Sequence, residues 1–305
     1  MSEVSLNHGS YQRPPLDLLN GSVPIFCSTQ FQNCTMELPC AIGTTEDKET
    51  FMFDLTKAHH LLVAGATGQG KTACLNAIIC SLLLKKAPSE VQFILVDPKR
   101  CEFDIYAPLK KLFLQELVSG VPFDYEYCLG VIDSLRSLIE HRYYRLKDSN
   151  VRHITEYNQK HPDDPMQYVV TVIDEYSDLL IVLGRDFETK LTHLASISWR
   201  FGIHFVICTQ RPTTNIITGW IKANFPARIA FRVSDRFDSK VIIDRAGAEC
   251  LNSEGDMLII TDSLDPVHIQ GAYIEDKVIE RIVSFIAQQN KYDCSKTSNI
   301  TTCTE

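Results

Sequence analysis

Gly65, Ala66, Thr67, Gly68, Gln69, Gly70, Lys71 and Thr72 follow one another and satisfy the pattern GxxxxGK[ST]. Glycines at those spacings let backbone N–H groups turn inward around phosphate oxygens. A helix that begins there adds the positive end of its dipole. In such a loop Lys71 reaches the β- and γ-phosphates of ATP, and the Thr72 hydroxyl binds Mg²⁺. Further along, the apolar run 169–173 empties into Asp174 and Glu175. Side chains alternate along a strand, so one carboxylate can face a metal while its neighbour faces the attacking water. Asp174 is read as holding Mg²⁺ through water, and Glu175 as polarising the nucleophile. Gln210 ends another apolar run and is followed by Arg211 and Pro212. Its amide can hydrogen-bond a γ-phosphate or the lytic water and so report hydrolysis. Pro212 stops the strand because it has no N–H to give the ladder.

These residues need a scaffold that brings several strand ends together. Continuous apolar runs at 60–64, 91–96, 168–173, 204–208, 228–233 and 257–260 read as buried strands. Helical patterns at 72–84, at 125–147, through 191–199 and at 274–289 alternate with them. That alternation implies an α/β fold with a mainly parallel sheet flanked by helices. The strands lack polar alternation, as expected when helices cover both faces. The expected architecture is a RecA-like P-loop NTPase of the additional-strand kind. Residues 1–37 read as a loosely ordered N-terminal arm or a strap over the domain. Residues 38–290 form the ATPase domain, and residues 291–305 a disordered polar tail.

Composition narrows the class. The 305 residues are 45% hydrophobic and 22% charged, as in a globular protein with a sizeable core. Eleven cysteines are scattered, with no CxxC and no Cys/His cluster, so zinc is not expected and the thiols read as small buried groups in a reducing compartment. The chain begins without the pattern of a signal peptide. Its apolar stretches fall short of the ~20 residues that span a bilayer, so a cytoplasmic protein without direct membrane insertion is expected. Net charge is −8, yet the window 211–245 carries seven cations against three acids, +4, leaving −12 elsewhere. A basic strip on an acidic body suits a polyanion held at one defined place. Aromatic side chains are not expected among its cations.

The chain resembles the motor domain of the FtsK/SpoIIIE family of DNA translocases. The stretches that carry the likeness include HLLVAGATGQGKT, VDPKRCEF, HRYYRLKDSNVRHITEYN, VVTVIDEYSDLL, GIHFVICTQRP, ITGWIKANFPARIAF and GAECLNSEGDM. The resemblance implies a domain that assembles as a homo-hexameric ring around double-stranded DNA and moves it by ATP hydrolysis, with ATP and Mg²⁺ as cofactors. It implies a bacterial or phage-infected cell. The family's channel-lining cations fall here on Arg211, Lys222, Arg236 and Lys240, all inside the +4 strip. Cations without a recognition helix grip phosphates and leave sequence unread. A family arginine acting on the neighbouring subunit falls one residue from Arg200, which is the candidate finger. Arg228 matches another family arginine without an assigned role, and so does the segment Asp97-Pro98-Lys99…Glu102.

Family members also carry membrane segments, a linker, an α-subdomain and a winged-helix module, none of which is recognisable in these residues. The expectation is a compact motor serving a mobile element, plasmid or phage, or DNA transfer and segregation, with a relaxase, recombinase or membrane protein as partner. The alternatives are a secretion-type ATPase that moves protein substrates and a non-hydrolytic nucleotide switch. His204, inside an apolar strand, reads as a satisfied core histidine.

Overall fold

The computed structural model describes residues 11–99, 102–110, 112–118, 124–252, 254–261 and 265–289. The expected polar tail lies outside them. In chain order the described part begins with α1 (Pro24–Cys27) and α2 (Thr29–Gln32), then β1 (Pro39–Thr44), β2 (Thr50–Asp54) and α3 (Leu55–Ala58). β3 (Leu61–Ala64) leads into α4 (Lys71–Lys85) and β4 (Val91–Val96). After β5 (Leu114–Val118) come α5 (Tyr125–Asp148), α6 (Ile154–Lys160), β6 (Tyr168–Ile173) and α7 (Tyr176–Ser198). β7 (Ile203–Thr209), α8 (Gly219–Asn224), β8 (Ala227–Phe231) and α9 (Arg236–Ile243) follow. β9 (Asp256–Ile260), β10 (Val267–Gly271) and α10 (Asp276–Ala287) complete the described chain.

All ten strands share one sheet in the order β2-β1-β10-β9-β8-β3-β7-β6-β4-β5. Six of them, from β8 to β5, run parallel to their neighbours. The other four extend the sheet as an antiparallel wing. β7 lies between β3 and β6, so the strand ending in Gln210 separates the P-loop strand from the strand ending in Asp174 and Glu175. This is the α/β architecture expected from the motifs. β4, β6 and β7 are buried along their whole length. Alternate side chains feed two cores. Leu61, Val63, Val206 and Cys208 pack with α4 and α10, whereas Leu62, Ala64, Phe205 and Ile207 pack with α5, α7 and α9.

Of the two readings of the arm, the described residues fit the strap. Leu19, Val23, Ile25, Phe26 and Phe31 are buried in the same core as α4. Residues 11–37 therefore form a packed strap of four-residue turns rather than a loose arm. Turns that short produce no 3.6-residue periodicity, which is why the apolar residues read as scattered. The helix placed through 191–199 begins at Tyr176 and breaks at Gly184, where φ is 73°.

Candidate nucleotide site and basic strip

β3 ends at Ala64 and α4 starts at Lys71. The loop between them is wedged against backbone on both sides. A Cβ on Gly65 would lie 2.6 Å from the Phe231 Cβ, and one on Gly70 would lie 3.0 Å from the Gly255 backbone. Ala66 N donates to the Arg232 carbonyl at 2.9 Å, and Gly255 N donates to the Gln69 carbonyl at 3.0 Å. The loop is thus set by the end of β8 and the start of β9 before any side chain acts. Lys71 is buried, and its ammonium donates to the Ala66 carbonyl at 2.7 Å. Burial lowers its pKa; nearby Cys208, Glu175 and Asp174 pull the other way.

Asp174 and Glu175 leave the end of β6 into different surroundings. Burial, then the neighbouring carboxylates Asp97, Glu102 and Glu175, raise Asp174 to about 7, with Lys99 opposing. Asp97, fully buried at the end of β4, accepts from the backbone N–H groups of Lys99 (3.1 Å), Glu102 (2.9 Å) and Phe103 (3.1 Å). It shapes the turn that carries Lys99 and Glu102 to the site. Glu102 is hydrogen-bonded to Thr72, and burial with the charge of Asp97 raises its pKa. A hydroxyl and several carboxylates crowded against a P-loop fit a hard divalent cation bound partly by the protein and partly by phosphates. Among the described residues no cluster of three or more His, Cys, Asp or Glu forms a metal cage alone.

Glu175 is 1% exposed and surrounded by donors. Its Oε1 accepts from the Ser177 hydroxyl (2.7 Å), the Thr209 hydroxyl (2.9 Å) and Gln210 N (3.2 Å). Its Oε2 accepts from Lys99 Nζ at 3.2 Å and from Gln210 N at 3.3 Å. The Gln210 side chain reaches the other way, where its Oε1 accepts from the Thr67 hydroxyl at 2.6 Å. The parallel strand ends therefore bring together Thr67, Lys71, Asp174, Glu175 and Gln210. Ser177 and Thr209 join them without having been singled out, and so does Lys99, whose segment matched a family motif with no role assigned.

The basic strip is less uniform than its charge count implies. Arg211, Arg236 and Lys240 are exposed. Lys222 instead pairs with Asp244, which also holds Arg228 at 2.5 Å. Arg228 donates to the Ile242 carbonyl at 3.1 Å as well, so its role is to fasten the end of α9 to β8. Arg245 pairs with Asp265 at 2.6 Å. Trp220 is 73% exposed and Phe237 65% exposed, so aromatic side chains do stand among the cations. Arg200 lies elsewhere. It follows α7 at the start of β7, its guanidinium 5.1 Å over the Trp199 ring. A seven-residue strand separates it from Gln210, about 23 Å at about 3.3 Å per residue. It does not reach its own chain's P-loop. His204 gives Nδ1 to the His59 carbonyl at 2.7 Å, while its buried Nε2 has no partner among the described residues, so it is only half satisfied.

Residues 23–214 match the family described as FtsK/SpoIIIE. The chain is 43% identical over 265 residues to the DNA translocase FtsK of Chlorobaculum tepidum, covering 85% of this chain and 33% of that protein. It is 40% identical over 267 residues to the DNA translocase SftA of Bacillus subtilis, covering 86% of this chain and 28% of that protein. The chain thus spans about a third of the length of these curated relatives. Among solved structures, the pCW3 conjugation coupling protein TcpA, in its monomer form with ATPγS, superposes with a TM-score of 0.71 at 27% identity, over 83% of this chain and 71% of that one. The type VII secretion ATPase EccC of Thermomonospora curvata superposes at 0.70 with 21% identity, over 82% of this chain and 31% of that one, a likeness of fold.

Proposed function

The chain belongs to the FtsK/SpoIIIE family, and we propose that it is an ATP-driven motor that moves double-stranded DNA. The observation that carries this reading is the single rim of the parallel sheet. Lys71, Asp174, Glu175 and Gln210 converge there, and the next residue, Arg211, begins an exposed row of cations. In the proposed assignment the loop 65–72 holds the triphosphate, with Lys71 on its β- and γ-phosphates. Thr72 and Asp174 would hold Mg²⁺, which would supply positive charge to neutralise the phosphates. Glu175 orients the attacking water, and Gln210, tied to Thr67, senses the γ-phosphate. Arg211, Arg236 and Lys240 grip the DNA backbone. Lys222 serves the same face, its charge shared with Asp244.

Arg200 lies a strand's length from its own chain's site, which supports assigning it to a neighbouring subunit's site in a ring of identical subunits. A homo-hexamer closed around DNA is therefore part of the proposal. No described helix is long and apolar enough to cross a membrane, so any membrane attachment would fall to other segments or to a partner. The secretion reading draws only on shared fold at 21% identity. Purified protein tests the proposal directly. ATP turnover should rise several-fold on adding linear duplex DNA and fall back as salt is raised. Turnover indifferent to duplex DNA would remove the assignment.

A further inference from the structure

Three successive residues at the end of β7 address three different places. Thr209 donates its hydroxyl proton to Glu175 Oε1 at 2.9 Å. Gln210 binds the P-loop through Thr67 at 2.6 Å. Arg211 is exposed in the basic strip, and its backbone N–H donates to the Thr209 hydroxyl oxygen at 3.1 Å. A hydroxyl has one proton to give, and here it goes to the glutamate while the same oxygen accepts from the arginine's backbone. Any movement of the Arg211 backbone therefore shifts the group that holds Glu175.

The state of Glu175 gives this link a consequence. Three donors and an adjacent ammonium fill the lone pairs of a carboxylate with almost no exposed surface. A carboxylate so occupied has no lone pair directed at a water, which general-base work requires. Polarising water at this position requires releasing a donor. Thr209 is the donor in direct contact with the strip.

We propose that Thr209 is a positioning residue that holds Glu175 in a resting orientation, and that DNA engaging Arg211 releases it. The proposal rests on the motor reading above, but its first half concerns turnover without DNA. Isosteric replacement of the hydroxyl by a methyl, Thr209→Val, keeps the volume and removes one donor from Oε1. The DNA-free kcat should then rise roughly three- to tenfold, the size of effect that one hydrogen bond has on an equilibrium. KM for ATP should stay put, and the stimulation by linear duplex DNA should shrink toward none. Thr209→Ser, which restores the hydroxyl, should return both values. Ser177→Ala removes another donor from the same oxygen and should also raise the DNA-free rate, which guards against a folding artefact in the valine variant.

If Thr209→Val lowers the DNA-free and DNA-bound rates by the same factor, Thr209 orients Glu175 for chemistry, and the resting hold is wrong. Unchanged rates overturn it equally. A raised DNA-free rate with the stimulation ratio intact keeps the hold and overturns its link to Arg211. Wild-type turnover that ignores DNA counts against the motor reading, while the DNA-free comparison still decides the role of Thr209.

Discussion

The six parallel strands and the four antiparallel ones share a sheet and a core, yet they place polar groups in opposite ways. In the parallel half every strand ends at the same rim. Asp97 after β4, Glu175 after β6, Gln210 after β7 and Arg232 after β8 therefore meet around the loop that follows β3. Ligands bind at such rims because chain ends and helix N-termini collect there. In the wing, strand ends alternate between rims. Its notable ionic group is His268 on β10, held between Glu46 at 3.0 Å and Asp256. Among the described residues the wing meets the nucleotide loop at the Gly255 backbone. One half concentrates charge at a cost in burial; the other supplies a wall and stability.

Mutations can break or sharpen that division. The largest effect is expected from Glu175→Gln, which should lower kcat by about 10²–10⁴-fold while leaving ATP binding intact. Binding is read by calorimetry and turnover by phosphate release. Next is Ile269→Ala on β10, a fully buried wing residue. It should cost about 2–5 kcal/mol in urea unfolding and leave KM for ATP unchanged below the melting transition. A changed KM would show that the wing shapes the site beyond Gly255.

Gly70→Ala tests that one junction. At φ 105°, with Gly255 backbone 3.0 Å from the added Cβ, the substitution should cost about 1–3 kcal/mol of strain and weaken ATP binding. Smaller again, Arg211→Ala or Arg236→Ala should weaken duplex binding without sequence preference. Each should reduce the salt dependence by about one counterion, with ATP binding untouched. The smallest effect belongs to His268. The hydrogen bond to Glu46, followed by that to Asp256, raises its pKa above the usual value. A raised folded pKa gives stability that is fully present below the unfolded value, about 6.5, and is lost as pH rises through the folded value. His268→Gln should therefore cost a few tenths of a kcal/mol in mildly acid solution and nothing in alkaline solution.

The same division explains what could be read from residues alone. The strands β3, β4, β6, β7, β8 and β9 were legible because burial on both faces leaves unbroken apolar runs. β2, with Thr50 and Phe51 half-buried, and β10, with exposed Val267 and Gln270, carry weaker patterns. Their places depend on partners far along the chain, such as Gly43 opposite Gly271. The P-loop, Asp174, Glu175 and Gln210 stood out because a local spacing dictates their chemistry. Ser177 and Thr209 did not, and the role of Lys99 in its motif stayed open, since their contact with Glu175 exists only once β4, β6 and β7 lie side by side. Lys222 looked like a free cation for a similar reason, as its partner Asp244 comes into reach through the packing of α9 on β8.

Movement along DNA is the central claim, and displacement of a short third strand from linear duplex measures it directly. With ATP and Mg²⁺ the wild-type protein should strip the third strand at a rate that rises with ATP concentration, and Glu175→Gln should strip none. Duplex binding and ATP turnover without any displacement would contradict the account.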